Sequence, residues 1–268
     1  MSSENNSITQ TAGADLTLIR RLARNDFKTK YAGSYLGIIW AFVQPIVTIL
    51  VYWFVFSTLR ARGMRGVPFV LWLMAGLVPW FYFSDGLNSG TNALIEYSYL
   101  VKKVVFKIDI LPLVKLSSAL YVHVFFTGVT VLLYAVMGYF PGISVIQIFY
   151  YSGSLFVLLL GLSYLTSAVV IFFRDLTQII NICLQVGVWM TPIMWNFEDL
   201  NIHGWLAWVF KLNPMYYIVE GYRDSLITGT PFWERPMLTA YYWIFTLLVF
   251  ILGRRVFRRL RVHFADVL

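Results

Sequence analysis

The chain has a single cysteine, Cys183, and it lies inside an apolar run, so no intrachain disulfide can form and cysteine usage is silent on redox compartment. Charge is scarce as well: 13% of the 268 residues are charged against 59% apolar, with a mean hydropathy of +0.70. That balance excludes an ordinary soluble domain. No Gly-Lys dipeptide occurs, so the phosphate-cradling loop Gly-x-x-x-x-Gly-Lys-Ser/Thr is absent and the chain is not expected to hydrolyse ATP by that motif. His123, His203 and His263 are far apart in sequence, without Glu or Cys at metal-ligand spacing, so no metal site is expected. Gly-x-Ser-x-Gly is missing too, which removes the usual signature of an acyl-transfer enzyme. The net charge of +8 does not indicate nucleic acid, because the cations gather at the ends of apolar runs and not on a soluble basic face. Residues 1–15 are polar and lack the charged-then-apolar pattern of a signal peptide, so no cleaved leader is expected.

What remains is a chain of long apolar runs. Leu36 to Leu59 is uncharged and, as a helix of about 36 Å, crosses a bilayer core of roughly 30 Å with some tilt, kinked at Pro45. Further spans are expected near 67–87, 110–137, 145–173, 176–195 and 237–256, making six. Before the first span, residues 16–31 place Ile19, Leu22, Ala23, Phe27 and Tyr31 at helical spacing, with Arg20, Arg21, Arg24 and Lys28 mostly elsewhere around the turn. This pattern predicts a basic amphipathic helix in the headgroup layer, serving as an orientation anchor or a docking element. Residues 203–229 are apolar and aromatic, but Asn213-Pro214 breaks them and Glu220, Arg223 and Asp224 charge them. A full crossing there would also place the arginines of 254–261 outside, against the positive-inside tendency. A re-entrant helical hairpin on the outer side is expected, tolerated only where protein shields its backbone.

The expected fold is therefore an all-α polytopic membrane protein with six transmembrane helices, an interface helix, a hairpin before the last span, and both termini cytoplasmic. Residues 1–15 form a polar tail, 32–260 the transmembrane domain and 261–268 a cytoplasmic tail.

Aromatic residues make up 18% of the chain. Trp40, Tyr52, Trp53 and Phe56 in the first span, Trp72 in the second and Trp189 in the fifth are candidates for a substrate path, where aromatic faces stack on sugar rings. The bland reading is interfacial belts and helix packing. Arg60, Arg62 and Arg65 form an external cationic loop, read either as an exit attraction for a polyanion or as contact with anionic headgroups. Arg174-Asp175 marks an inner turn that pairs internally or faces a partner. Glu220, Arg223 and Asp224 share a helix face at i, i+3 and i+4, so mutual pairing is expected, although charges at membrane depth are also functional candidates.

In order along the chain, several motifs resemble the ABC-2 type permeases that export polysaccharides and teichoic acids. Lys28 to Pro45, with Ser34-x-Leu36-Gly37-x-x-Trp40, resembles the family's approach to the first span. Leu100 to Leu113 resembles its cytoplasmic coupling loop, set here at 92–107. Phe173-Arg174-Asp175, Thr191-Pro192-Ile193 and the stretch from Asn213-Pro214 to Tyr222-Arg223 resemble the remaining signatures. The chain departs from the pattern at Lys107, where a proline commonly follows the loop phenylalanine, here Phe106. The resemblance implies a homodimer in a bacterial plasma membrane, bound to two copies of a separate ATPase subunit that carries ATP and Mg. This chain would bind no cofactor of its own and no nucleic acid. It further implies that Tyr97, Tyr99, Lys102, Lys103, Phe106, Lys107, Arg174 and Asp175 couple to that ATPase, and that the cargo is a lipid-linked polymer moved outward. The nearest likeness is to teichoic acid translocation permeases; O-antigen or capsular polysaccharide export and drug export are the alternatives.

Overall fold

The computed structural model describes residues 2–59, 65–102, 107–140, 142–197 and 204–267. They form twelve α-helices: α1 (Ser2–Thr29), α2 (Trp40–Leu59), α3 (Phe69–Thr91), α4 (Ala93–Glu96), α5 (Ser98–Val101), α6 (Leu111–Val136), α7 (Gln147–Val170), α8 (Leu176–Met190), α9 (Trp205–Lys211), α10 (Pro214–Arg223), α11 (Pro236–Leu260) and α12 (Phe264–Val267). Five stretches among them are long and apolar enough to cross a membrane: Gly37–Ser57, Phe69–Thr91, Ile108–Val136, Gly142–Val170 and Pro236–His263.

The central helix is α3. Every residue from Leu71 to Trp80 is buried on it, which is the signature of a helix enclosed by others. It packs against α2, α6, α7, α8 and α10. At the periphery α7 and α11 cross so closely that side chains do not fit between them. A Cβ on Gly253 would sit 2.3 Å from the Gly161 carbonyl oxygen, and one on Gly161 would sit 2.8 Å from the Phe250 Cα. Lipid offers apolar side chains no reason to leave it, so close backbone approach through small residues is the available way to hold such helices together.

The helix expected over 176–195 is shorter than hydropathy suggests. α8 has 15 residues and rises about 22 Å. Its end follows from Pro192, which forces the preceding Thr191 into an extended conformation, φ −93° and ψ 129°. Ile193 and Met194 stay fully buried, so the sequence remains apolar after the helix has stopped. At the N-terminus the difference runs the other way: α1 begins at Ser2, not near residue 16, since a polar segment free of proline can extend a helix without an apolar face. Between α8 and α11 lie the two short helices α9 and α10. Asn213 caps α10, its side chain accepting from the Met215 N–H at 3.0 Å, with Pro214 at the first helical position. The last turn widens into a π-helix over Asp224–Thr228, which Gly229 closes in the left-handed region at φ 73°.

Candidate functional site

A cleft of about 570 Å³ opens between α2, α3, α6 and α8. Its walls combine aromatic faces, Trp40, Tyr52, Trp80 and Tyr82 among them, with amides from three helices: Gln44 on α2, Asn88 on α3, and Asn181 and Gln185 on α8. Among the described residues Asp85 is the one carboxylate on the lining. The wall formed by α2 and α8 is thin. On α2 Ile46, Val47, Leu50, Val51, Phe54 and Val55 are exposed on the far side, as are Ile179, Ile182 and Val186 on α8.

At the mouth of the cleft Lys30 donates to the Asp85 carboxylate and to Ser89 Oγ at 3.1 Å. Partial burial would lower the pKa of Lys30, but the Asp85 charge outweighs it and raises the value above its ordinary level. Deeper in, Tyr82 stacks on His123 with ring centroids 4.6 Å apart. The His123 Nε2 is hydrogen bonded with the Tyr222 hydroxyl at 2.9 Å and with Ser152 Oγ at 3.2 Å, and Ser152 Oγ lies 2.5 Å from the Tyr222 hydroxyl. The cleft wall is thereby joined to α10.

Next to Tyr222, Arg223 is fully buried. Its guanidinium lies 3.6 Å from the centroid of Trp72, and it donates to the Pro192 and Ile193 carbonyls at 2.6 and 2.8 Å and to Glu220 at 2.7 Å. Arg65 donates to the same carboxylate at 3.1 Å. Burial opposes ionisation of Glu220, yet Arg223 and Arg65 outweigh it and hold the carboxyl below the usual range. Asp224 turns away to Arg235, 2.9 Å distant, and burial pushes its pKa up to about 6.

A second ionic cluster lies at the opposite end of the bundle. Lys115, in the first turns of α6, donates to Asp26 of α1 at 2.6 Å and to Glu96 of α4; the Tyr97 hydroxyl donates to the same Asp26 oxygen at 2.8 Å. Asp26 and Lys115 are buried, and the cluster ties the interface helix to the loop expected to meet an ATPase.

The sequence-derived candidates separate on this framework. Trp40 and Tyr52 line the cleft. Trp53 and Trp189 are exposed, and Phe56 packs on Phe69. Trp72 is enclosed beside Arg223, away from the cleft. Of the coupling residues, Tyr99, Lys102, Lys107, Arg174 and Asp175 are exposed, whereas Tyr97 is turned inward to Asp26; Lys103 and Phe106 lie outside the described residues. Arg20, Arg21, Arg24 and Lys28 are exposed on α1. Of the external cationic loop, Arg65 is held by Glu220, and Arg60 and Arg62 lie outside the described residues, as does His203 in the expected hairpin. Glu220 and Arg223 pair with one another, while Asp224 takes Arg235 instead.

Asp26, Asp85, Lys115 and His123 were not among the expected site residues. Asp26 carried a signal: it stands three residues after Ala23, a carboxylate on the face that Ile19, Leu22 and Ala23 turn inward.

The fold and the cleft define a multi-pass helical membrane protein with a polar, aromatic cleft between its helices. The chain belongs to the ABC-2 type transporter family, whose profile matches residues 17–227. It is similar to the O-antigen export system permease protein RfbA of Klebsiella pneumoniae, with 24% identity over 257 residues that cover 92% of this chain and 93% of the relative. The protein of the same name from Myxococcus xanthus is 26% identical over 218 residues, 77% of this chain and 78% of that one. The polysialic acid transport protein KpsM of Escherichia coli is 23% identical over 244 residues, covering 90% and 92%.

Proposed function

We propose that this chain is the membrane-spanning subunit of an ABC exporter that moves a lipid-linked surface polysaccharide, of the O-antigen or capsular kind, out of the cell. The observation that carries the reading is the cleft, in which aromatic faces alternate with amide side chains drawn from α2, α3 and α8. Pyranose rings present C–H faces and hydroxyl edges, and such a wall satisfies both. Membership of the ABC-2 type transporter family and the O-antigen and polysialic acid relatives support the same class of cargo. An alternative reading as a teichoic acid permease leans on the arginine-rich loop, but Arg65 of that loop is engaged by Glu220.

Energy comes from a separate ATPase subunit that binds ATP and Mg, docking on the exposed Tyr99, Lys102, Lys107, Arg174 and Asp175. Two copies of this chain meet through the bare faces of α2 and α8, completing the passage between them, with six crossings each and both termini in the cytoplasm. ATP-driven closure of the ATPases pushes α4, α5 and α1, and α2 and α8 part to admit cargo. The test is to coexpress the chain with the ATPase encoded beside it, purify both into nanodiscs and add lipid-linked polysaccharide precursors. A two-plus-two complex whose ATPase rate responds to the precursor is expected; a chain that purifies alone and whose preparation ignores every precursor sinks the proposal.

A further inference from the structure

A polyanion crossing a low-dielectric passage requires cations along its path, as the Arg and Lys rings of anion pores supply them. Among the described residues that line the cleft there is neither Lys nor Arg. The one formal charge on that lining is negative, Asp85, and the nearest cation offered to it, Lys30, is already committed to Asp85 and Ser89. Nor do the described arginines toward the α10 end offer themselves. Arg223 and Arg65 serve Glu220, and Arg235 serves Asp224. An incoming phosphate or carboxylate would have to displace one of those carboxylates and leave it buried. An uncharged sugar meets no such obstacle, because Gln44, Asn88, Asn181 and Gln185 each offer donors and an acceptor to hydroxyls.

We infer that the passage takes a glycan whose repeat unit is uncharged, and that Asp85, by committing the Lys30 ammonium, is the residue that sets this selectivity. Held in this pair, Lys30 cannot serve an anionic repeat without stripping Asp85 of its partner, an unfavourable element of the kind specificity needs alongside attractive contacts. Lys30 orients the carboxylate at the mouth, and the pair leaves no free positive charge there. The inference rests on the polysaccharide reading above and narrows its substrate class.

The test uses the full permease–ATPase complex in nanodiscs and two fluorescently end-labelled octamers, a neutral mannan oligomer and a polysialic acid oligomer, each titrated at moderate ionic strength. The neutral octamer is expected to bind at least about tenfold more tightly, a difference of about 1.4 kcal/mol. Asp85→Lys is expected to move the preference by about tenfold or more toward polysialic acid, and the near-isosteric Asp85→Asn by about threefold in the same direction, so the inference stays testable if the lysine variant does not fold. Polysialic acid binding the wild-type complex as tightly as the mannan, or an unchanged preference in Asp85→Asn, overturns the charge selectivity and leaves the polysaccharide reading standing. Binding of neither octamer overturns the cleft as a glycan site and the polysaccharide reading with it.

Discussion

At one end of the bundle a single cation, Lys115, serves two carboxylates, Asp26 and Glu96; at the other, three arginines, 65, 223 and 235, serve Glu220 and Asp224. The two clusters differ in more than charge balance. Lys115 joins three elements that are separate in the chain, α1, α4 and α6, and one partner, Glu96, has a side chain 52% exposed. Arg223 is enclosed completely, is stacked on Trp72 and is held by two backbone carbonyls in addition to Glu220. An ion pair with one foot in water can be loosened and remade at small cost, whereas breaking the enclosed Arg223–Glu220 pair strands buried charge even with Arg65 and Arg235 at its rim. On the proposed mechanism the first suits an element that receives a push and passes it on. The second suits a fixed point against which the spans move.

The comparison is open to direct attack. The largest effect is expected from Arg223→Met, which leaves buried Glu220 to the partly exposed Arg65 and Arg235 and frees two buried carbonyls at once; the loss of stability is about 4 kcal/mol, read as collapse of the monodisperse peak and of the thermal transition in detergent. Arg223→Lys should recover only part, since an ammonium cannot span both carbonyls and Glu220 from the plane stacked on Trp72. Next comes Lys115→Met, at about 3 kcal/mol because Asp26 is left buried and unpaired. Adding Asp26→Asn to Lys115→Met should restore at least about half of that loss, and a double variant no better than the single would show that the pair is not coupled. Tyr97→Phe removes one hydrogen bond to a charged acceptor, for about 1.5 kcal/mol, and should lower nucleotide-driven transport more than it lowers the melting temperature. The smallest effect is Glu96→Gln, below about 0.5 kcal/mol at an exposed position. A loss there as large as that of Lys115→Met would erase the distinction between the two ends.

Much of the bundle is written in hydropathy. The runs that become α3, α6, α7 and α11 stand within a few residues of where composition places them, and Asn213-Pro214 announces the start of α10 through capping chemistry that is local to those two residues. Trp72 shows what hydropathy cannot supply. An indole in an apolar run looks the same whether it faces a passage or a guanidinium, and only the approach of Arg223, some 150 residues later in the chain, decides it. Tyr97 is a similar case: its position in the loop suggested a surface contact, but Asp26 draws its hydroxyl inward across 71 residues of sequence. The end of α8 was hidden for a different reason, since Ile193 and Met194 keep the sequence apolar while Pro192 has already ended the helix.

That early end has a consequence for the surrounding lipid. Upright in a hydrocarbon layer about 30 Å thick, a helix of about 22 Å falls short by roughly 8 Å, and the bilayer makes up such a deficit by thinning against the shorter partner. On the proposed pairing through α2 and α8, the thin patch lies where that seam meets lipid, beside the cleft that α8 walls, so a headgroup crossing there has less oil to traverse. Acyl-chain length then becomes a control on transport: shorter-chain bilayers match α8 and ease the crossing, and longer-chain bilayers strain it.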